Sequence, residues 1–132
     1  MAESDLELIR RGFDALEAGD AEGLIHLVHP DFEMTTPAAL ASEPDTYRGA
    51  DGVRRYFDSF YEAMDEVGVH AERFEDLGGG RVLTPSILRA RGRSTGLVAE
   101  QRVVLVWEVR DQLVQRLNIF ASEEEAQEAT GT

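Results

Sequence analysis

The stretch LVAEQRVVLVWEVRDQLVQRLNIFA, residues 97–121, decides the fold. Apolar and polar side chains alternate through most of it with period two, the pattern of a half-buried strand rather than a helix. Asp111-Gln112 breaks the pattern for two residues, as a tight hairpin requires, and Leu113 to Ala121 resumes it on the return. Strands this long need neighbours, and the preceding residues supply them. Arg81 to about Arg91 reads as a strand between turns at Gly78-Gly79-Gly80 and Gly92 to Gly96, and Val67 to Asp76 reads as the strand before it.

Upstream of Val67 the period is helical. Ser4-x-x-Glu7 is a capping box, followed by Leu6, Ile9, Phe13 and Leu16 on one stripe and by Gly19, which can take the left-handed conformation that ends a helix. Asp20 can cap a second, short helix through Leu24, Leu27 and Val28, which Pro30 stops. Phe32 to Thr36 reads as a short strand, and Pro37 to about Ala50 as a loop. Gly49 or Asp51 then opens a third helix whose stripe of Val53, Tyr56, Phe57, Phe60, Tyr61 and Met64 suits packing on a sheet. Ser122-x-x-Glu125 predicts a closing helix. The order is helix, helix, strand, helix, then a four-stranded meander, with no repeat or linker, so residues 1–132 read as one α+β domain.

Composition narrows the chemistry. A chain of 132 residues with 42% hydrophobic content can bury a core. Cysteine is absent, which removes disulfides, thiolate nucleophiles and Cys-ligated metal. All 13 basic residues are Arg, so no Schiff-base lysine is present. A net charge of −13 repels nucleic acid and anionic lipid, and no apolar run approaches the roughly 20 residues of a membrane span. The acidic N-terminus is unlike a signal peptide, and the cytoplasm is the expected compartment.

Five segments together resemble a known superfamily: IRRGFDALEAGD (9–20), HPDF (29–32), YRG (47–49), VWEVRD (106–111) and Arg116 to Phe120. In this order the chain resembles the nuclear transport factor 2-like, cystatin-like superfamily, and within it the SnoaL-like relatives of polyketide cyclases, ketosteroid isomerases and limonene epoxide hydrolases. The resemblance implies a cone-shaped half-barrel, a curved and mainly antiparallel sheet closed by the N-terminal helices, with a pocket on its concave face and a homodimer on its convex face. It also allows the family's catalytic positions to be checked. The isomerases' oxyanion-hole tyrosine falls on Gly12, their general base on Thr36 and their second acid near Leu105. The epoxide hydrolase positions hold Ile119, Ser86, Leu88, Met34 and Thr36, and the cyclases' aspartate falls on Ile119. None of these side chains can replace a carboxylate, and a slip of one residue would offer only Asn118.

Alternation assigns the faces. If Ile119 points inward, so do Leu113, Gln115 and Leu117; so do Gln101, Val103, Leu105, Trp107 and Val109 on the long strand, and Thr84, Ser86, Leu88 and Ala90 on the strand before it. With Gly12, Phe13, Met34 and Thr36, and with Tyr56, Phe57 and Phe60 as a wall, these describe a mostly apolar pocket for a small apolar molecule. The opposite faces carry Arg89, Arg91, Arg102 and Arg116 among Val104, Val106, Asn118 and Phe120, a strip suited to a homodimer. His26 and His29 lie near the end of the second helix without a third ligand, so no metal site is expected, nor any cofactor. Two functions stay open: a cofactor-free isomerase, cyclase or hydrolase of a hydrophobic metabolite, and a non-catalytic ligand-binding or accessory homodimer.

Overall fold

A computed structural model describes residues 2–36 and 46–131; the central part of the loop expected after Thr36, residues 37–45, lies outside them. The first helix, α1 (Ala2–Ala18), buries Ile9, Phe13 and Leu16. It begins ahead of Ser4, so the first capping box lies within the helix and not at its end. Gly19, at φ 66°, turns the chain into α2 (Ala21–Ile25), which Asp20 caps by accepting the Gly23 amide at 3.0 Å.

The second helix is shorter than its apolar pattern suggests, because strand pairing captures its expected end. The first strand, β1 (Val28–Thr35), includes Pro30, and the last, β7 (Leu113–Phe120), runs parallel to it, with Val28 opposite Val114. Proline is tolerated there because the register breaks between Val28 and Glu33. An unforeseen strand, β2 (Thr46–Arg48), pairs antiparallel with β1 directly before α3 (Gly49–Ala63).

The expected strand at Val67 to Asp76 is two strands, β3 (Met64–Ala71) and β4 (Glu75–Gly78), both antiparallel to β5 (Arg81–Gly92). Then β6 (Val98–Arg110) pairs along β5 and turns through Asp111 and Gln112, both at positive φ, into β7. The sheet order is β2-β1-β7-β6-β5-β3, with β4 beside β5, and the curved sheet does not close. Ser122 caps α4 (Glu123–Thr130) by accepting the Glu125 amide, while the Glu125 carboxylate accepts the Ala121 amide.

The inner face and the outer face each carry a core. Helices α1 and α3 pack on the inner face around Trp107, Leu105, Leu117, Phe32 and Met34. A shift in register between β6 and β7 corrects the expected alternation: Val109 sits opposite Val114 while Glu108 sits opposite Arg116, so Gln115 is the extra residue of a bulge. Val114, not Leu113 or Gln115, is therefore buried in the inner core.

On the outer face, α4 lays Ala126 over Leu83, Val104 and Val106, with Phe120 packed alongside. Val104 and Val106, read from sequence as an open dimer strip, are 3% and 1% exposed because this helix covers them. Beside that patch runs a row of alternating charge, Arg48, Glu33, Arg116, Glu108 and Arg81, set side by side across β2, β1, β7, β6 and β5. The other candidate arginines of this face differ in their partners. Arg102 binds Glu72 at 2.7 Å, Arg91 binds Asp65, and Arg89 is exposed opposite Glu100. Asn118, opposite Val106, is half-buried.

Candidate functional site

The aromatic stripe of α3 creates a small cavity against the concave face. Residues four apart share one side of a helix, which pairs Tyr56 with Phe60 and Phe57 with Tyr61, and Tyr56, Phe60 and Tyr61 reach the cavity. Tyr56 stacks on Phe60 at 5.8 Å between ring centres, Phe57 stacks on Tyr61 at 5.0 Å, and Tyr47 of β2 meets Tyr56 edge-on at 5.4 Å. These contacts hold the wall. The sheet supplies the floor: Val67 and Val69 of β3, Leu88 of β5, Val103 and Leu105 of β6 and Ile119 of β7, with Leu16 of α1 closing one side. The cavity volume is about 40 Å³, and the space between the walls, counted out to solvent at the mouth, is about 420 Å³. Leu16, Tyr56, Val69, Val103 and Leu105 are buried, whereas Phe60, Tyr61, Val67, Leu88 and Ile119 are partly exposed and form the rim.

A bulge shapes that rim. Glu66 takes φ 50°, and the β3–β5 register shifts between Asp65 and Gly68, so Val67 and Val69 turn to the cavity together. Arg91 grips the carboxylate of Asp65 next to the bulge with Nε and Nη2, at 2.8 and 2.9 Å. This paired hydrogen bond, helped by the charges of Arg91 and Arg93, holds the Asp65 carboxyl below the usual carboxylate range. Arg93 Nε donates to the carbonyl of Tyr61 at 3.0 Å and ties the β5–β6 turn to the end of α3.

Among the described residues, the ionisable groups on the cavity wall are two phenols. Burial, with the neighbouring Tyr47, pushes the Tyr56 hydroxyl well above the usual tyrosine range, and burial does the same for Tyr61. Both keep their protons at neutral pH. The Tyr61 hydroxyl donates to the carbonyl of Leu16. Deeper in the sheet, Trp107 Nε1 donates to Thr84 Oγ1 at 3.1 Å, Thr84 Oγ1 donates to the Leu105 carbonyl at 2.9 Å, and Ser86 Oγ donates to the Thr84 carbonyl at 2.9 Å. Thr36 Oγ1 is buried without a hydrogen-bond partner among the described residues.

Of the residues singled out in the sequence, Tyr56, Phe60, Leu88, Val103, Leu105 and Ile119 meet at this cavity. Phe13, Met34, Phe57, Trp107 and Leu117 lie in the surrounding core and not on the wall. Gly12 lies against the Trp107 ring. Thr36 and Ser86 are buried, and Gln101 is exposed because β6 is open to solvent from Val98 to Arg102. Four wall residues were not singled out as lining: Leu16, Tyr61, Val67 and Val69. The first two belong to the apolar stripes of their helices, and the two valines follow a period of two, so each carried a visible signal. His29 lies in β1 and not at a helix end, its Nδ1 accepting the Asp31 amide at 3.0 Å. Among the described residues no three His, Cys, Asp or Glu side chains gather as metal ligands, and no helix is long and apolar enough to cross a membrane.

Similar proteins share this architecture. The model of the SnoaL-like domain matches residues 9–117. An uncharacterised protein of Mycobacterium tuberculosis is 30% identical over 132 residues, covering 96% of this chain and 95% of its own. Among solved structures, an NTF2-like protein of Burkholderia thailandensis superposes with a TM-score of 0.77 at 24% identity, covering 96% of both chains. TerC, co-crystallised with polyporic acid, superposes with a TM-score of 0.80 at 19% identity, covering 98% of this chain and 99% of its own. At these identities the solved structures speak for the fold.

Proposed function

The chain belongs to the SnoaL-like domain family, and we propose that its cavity binds a small, uncharged, mainly apolar molecule. The observation that carries this reading is the wall itself, aliphatic and aromatic throughout, with tyrosine hydroxyls as the only polar side-chain groups among the described residues that line it. An ion entering such a wall would lose its hydration without a counter-charge, whereas an apolar molecule gains from leaving water. The cavity of about 40 Å³ holds only a few atoms, well below the roughly 300 Å³ at which ligand pockets begin. Binding therefore involves an outward movement of the rim, where Phe60 and Tyr61 are already partly exposed.

No carboxylate or imidazole stands on the described wall, so general acid–base catalysis has no obvious agent there, which favours binding over turnover. A second reading, a cofactor-free isomerase, cyclase or hydrolase, draws support from Tyr56. Its retained proton would make it a hydrogen-bond donor to a substrate oxygen, not a base.

Toluene is a suitable first probe. It should raise the melting temperature of the protein and shift the methyl signals of Val103 and Leu105, and Val103→Phe, which fills the cavity, should abolish both effects. Absence of both effects in the unaltered protein would refute the apolar-site reading.

A further inference from the structure

We infer that the binding site continues past the cavity into a second space beside it, and that Tyr61 is the gate between the two. This rests on the apolar-site reading above and adds to it the entrance and the shape of the ligand. At the end of α3 lies a depression of about 240 Å³ that is open to solvent. Tyr61 and Val67 stand on the walls of both the cavity and the depression, so these two side chains are the partition between them.

Of the two, Tyr61 is built to move. Val67 is branched at Cβ and is carried by the bulge of β3, so shifting it means shifting the strand. The Tyr61 backbone is held in place, because Arg93 Nε donates to its carbonyl and the Arg93 amide donates to the Ala63 carbonyl at 3.0 Å. Its ring is only half-buried, and the polar tie of the side chain is one hydrogen bond from its hydroxyl to the Leu16 carbonyl. Opening leaves no orphan on either side of that bond. The Leu16 carbonyl still accepts the Gly19 amide at 3.3 Å, and the phenol hydroxyl swings toward water.

The gate resolves the mismatch of size. The cavity alone, at about 40 Å³, is too small for a ligand, but cavity and depression joined approach the roughly 300 Å³ at which ligand pockets begin. A molecule filling both is elongated, with its apolar end on Val103 and Leu105. Its other end lies among Glu17, Asp65, Glu66 and Arg93, where a hydroxyl finds both acceptors and a donor.

Toluene and a phenylbutanol with its hydroxyl at the far end of the chain test this. Both would be titrated against the unaltered protein, Tyr61→Phe and Met64→Trp, following the Val103 and Leu105 methyl signals. Tyr61→Phe keeps the ring and removes the latch, so both probes should bind about three- to tenfold more tightly, the size of one hydrogen bond no longer broken on opening. A wall that was merely loosened would bind no tighter. Met64 lines the depression and not the cavity, so Met64→Trp fills the outer space alone. It should weaken phenylbutanol relative to toluene by about tenfold, the worth of two methylene groups leaving the site. Unchanged or weaker binding to Tyr61→Phe would overturn the gate, and an unchanged ratio in Met64→Trp would overturn the outer space, each leaving the apolar site standing while toluene still binds. Failure of both probes to bind the unaltered protein would overturn the site and this inference together.

Discussion

Gly12 of α1 rests so closely on Trp107 that a methyl group on its Cα would stand 2.7 Å from Cζ3 and 2.8 Å from Cη2. The indole cannot easily retreat, because it is fully buried and its Nε1 is held by Thr84. Alanine is the better helix former by about 1 kcal/mol. Overpacking a rigid core costs more, typically about 1–3 kcal/mol. Gly12→Ala should therefore lower stability by about 1–2 kcal/mol in urea unfolding. In a Trp107→Phe background, where Cζ3 and Cη2 are gone, the same change should be neutral or stabilising. Equal effects in both backgrounds would remove the indole as the cause.

The Thr84 hydroxyl joins two groups, accepting from Trp107 Nε1 and donating to the Leu105 carbonyl. Thr84→Val keeps the shape but leaves a buried indole N–H without its acceptor, a loss of about 1–3 kcal/mol. Thr84→Ser keeps the hydroxyl and should lose less, mainly a methyl's worth of packing. Chemical unfolding followed by tryptophan fluorescence compares the two. A valine variant as stable as the unaltered protein would show that the indole finds another acceptor.

The contrast between Gly12 and Gln115 shows what the sequence could and could not say. Period two and period three-to-four exposed the sheet, the helices and most of the cavity wall, because burial on one face imposes those patterns directly. A bulge leaves no such mark. The alternation through Leu113, Gln115 and Leu117 reads as unbroken, yet Gln115 is an extra residue and Val114 takes the inner place. The register is set by the hairpin's pairing with β6, which a single strand's composition does not encode. For the same reason β2 was hidden: three residues are too short for a period, and only the partner β1 makes Thr46–Arg48 a strand. That Gly12, Thr36 and Leu105 carry no acidic side chain is plain from the sequence. That Gly12 answers to a close-packed indole is not, since it depends on where α1 lies.

The Asp65–Arg91 pair should make stability depend on pH in acid. The Asp65 pKa is lowered in the folded protein, first by its hydrogen bonds to Arg91. A lowered folded-state pKa gives a contribution that is present above the unfolded value, about pH 4, and is lost as pH falls through the lower folded value. Asp65→Asn should therefore be less stable than the unaltered protein at neutral pH, and the gap should narrow below about pH 4. Urea midpoints measured across the acid range check this. A gap that is constant with pH would mean that the pair contributes through shape and not charge.

Ala126 holds α4 on the outer face, and its removal should reveal what the helix covers. Ala126 is fully buried against Leu83, Val104 and Val106, and the helix is otherwise fastened by Glu123 to Arg73 at 2.6 Å and by Arg81 to the Thr130 carbonyl at 3.2 Å. Exposed ion pairs contribute little, so the apolar contact should dominate. Ala126→Asp would bury an unpaired carboxylate, which the chain avoids by releasing α4, at a cost of roughly 1–3 kcal/mol. The apolar strip of Val104, Val106 and Phe120 would then face water. Uncovered strips of this kind drive association, so the variant should bind a hydrophobic dye more strongly and elute larger than the unaltered protein at equal concentration. Removing residues 122–132 should have the same effect. An Ala126→Asp variant with unaltered helix content, dye binding and elution would show that α4 stays docked without its buried alanine, and would place the hold on the Arg73 and Arg81 contacts instead.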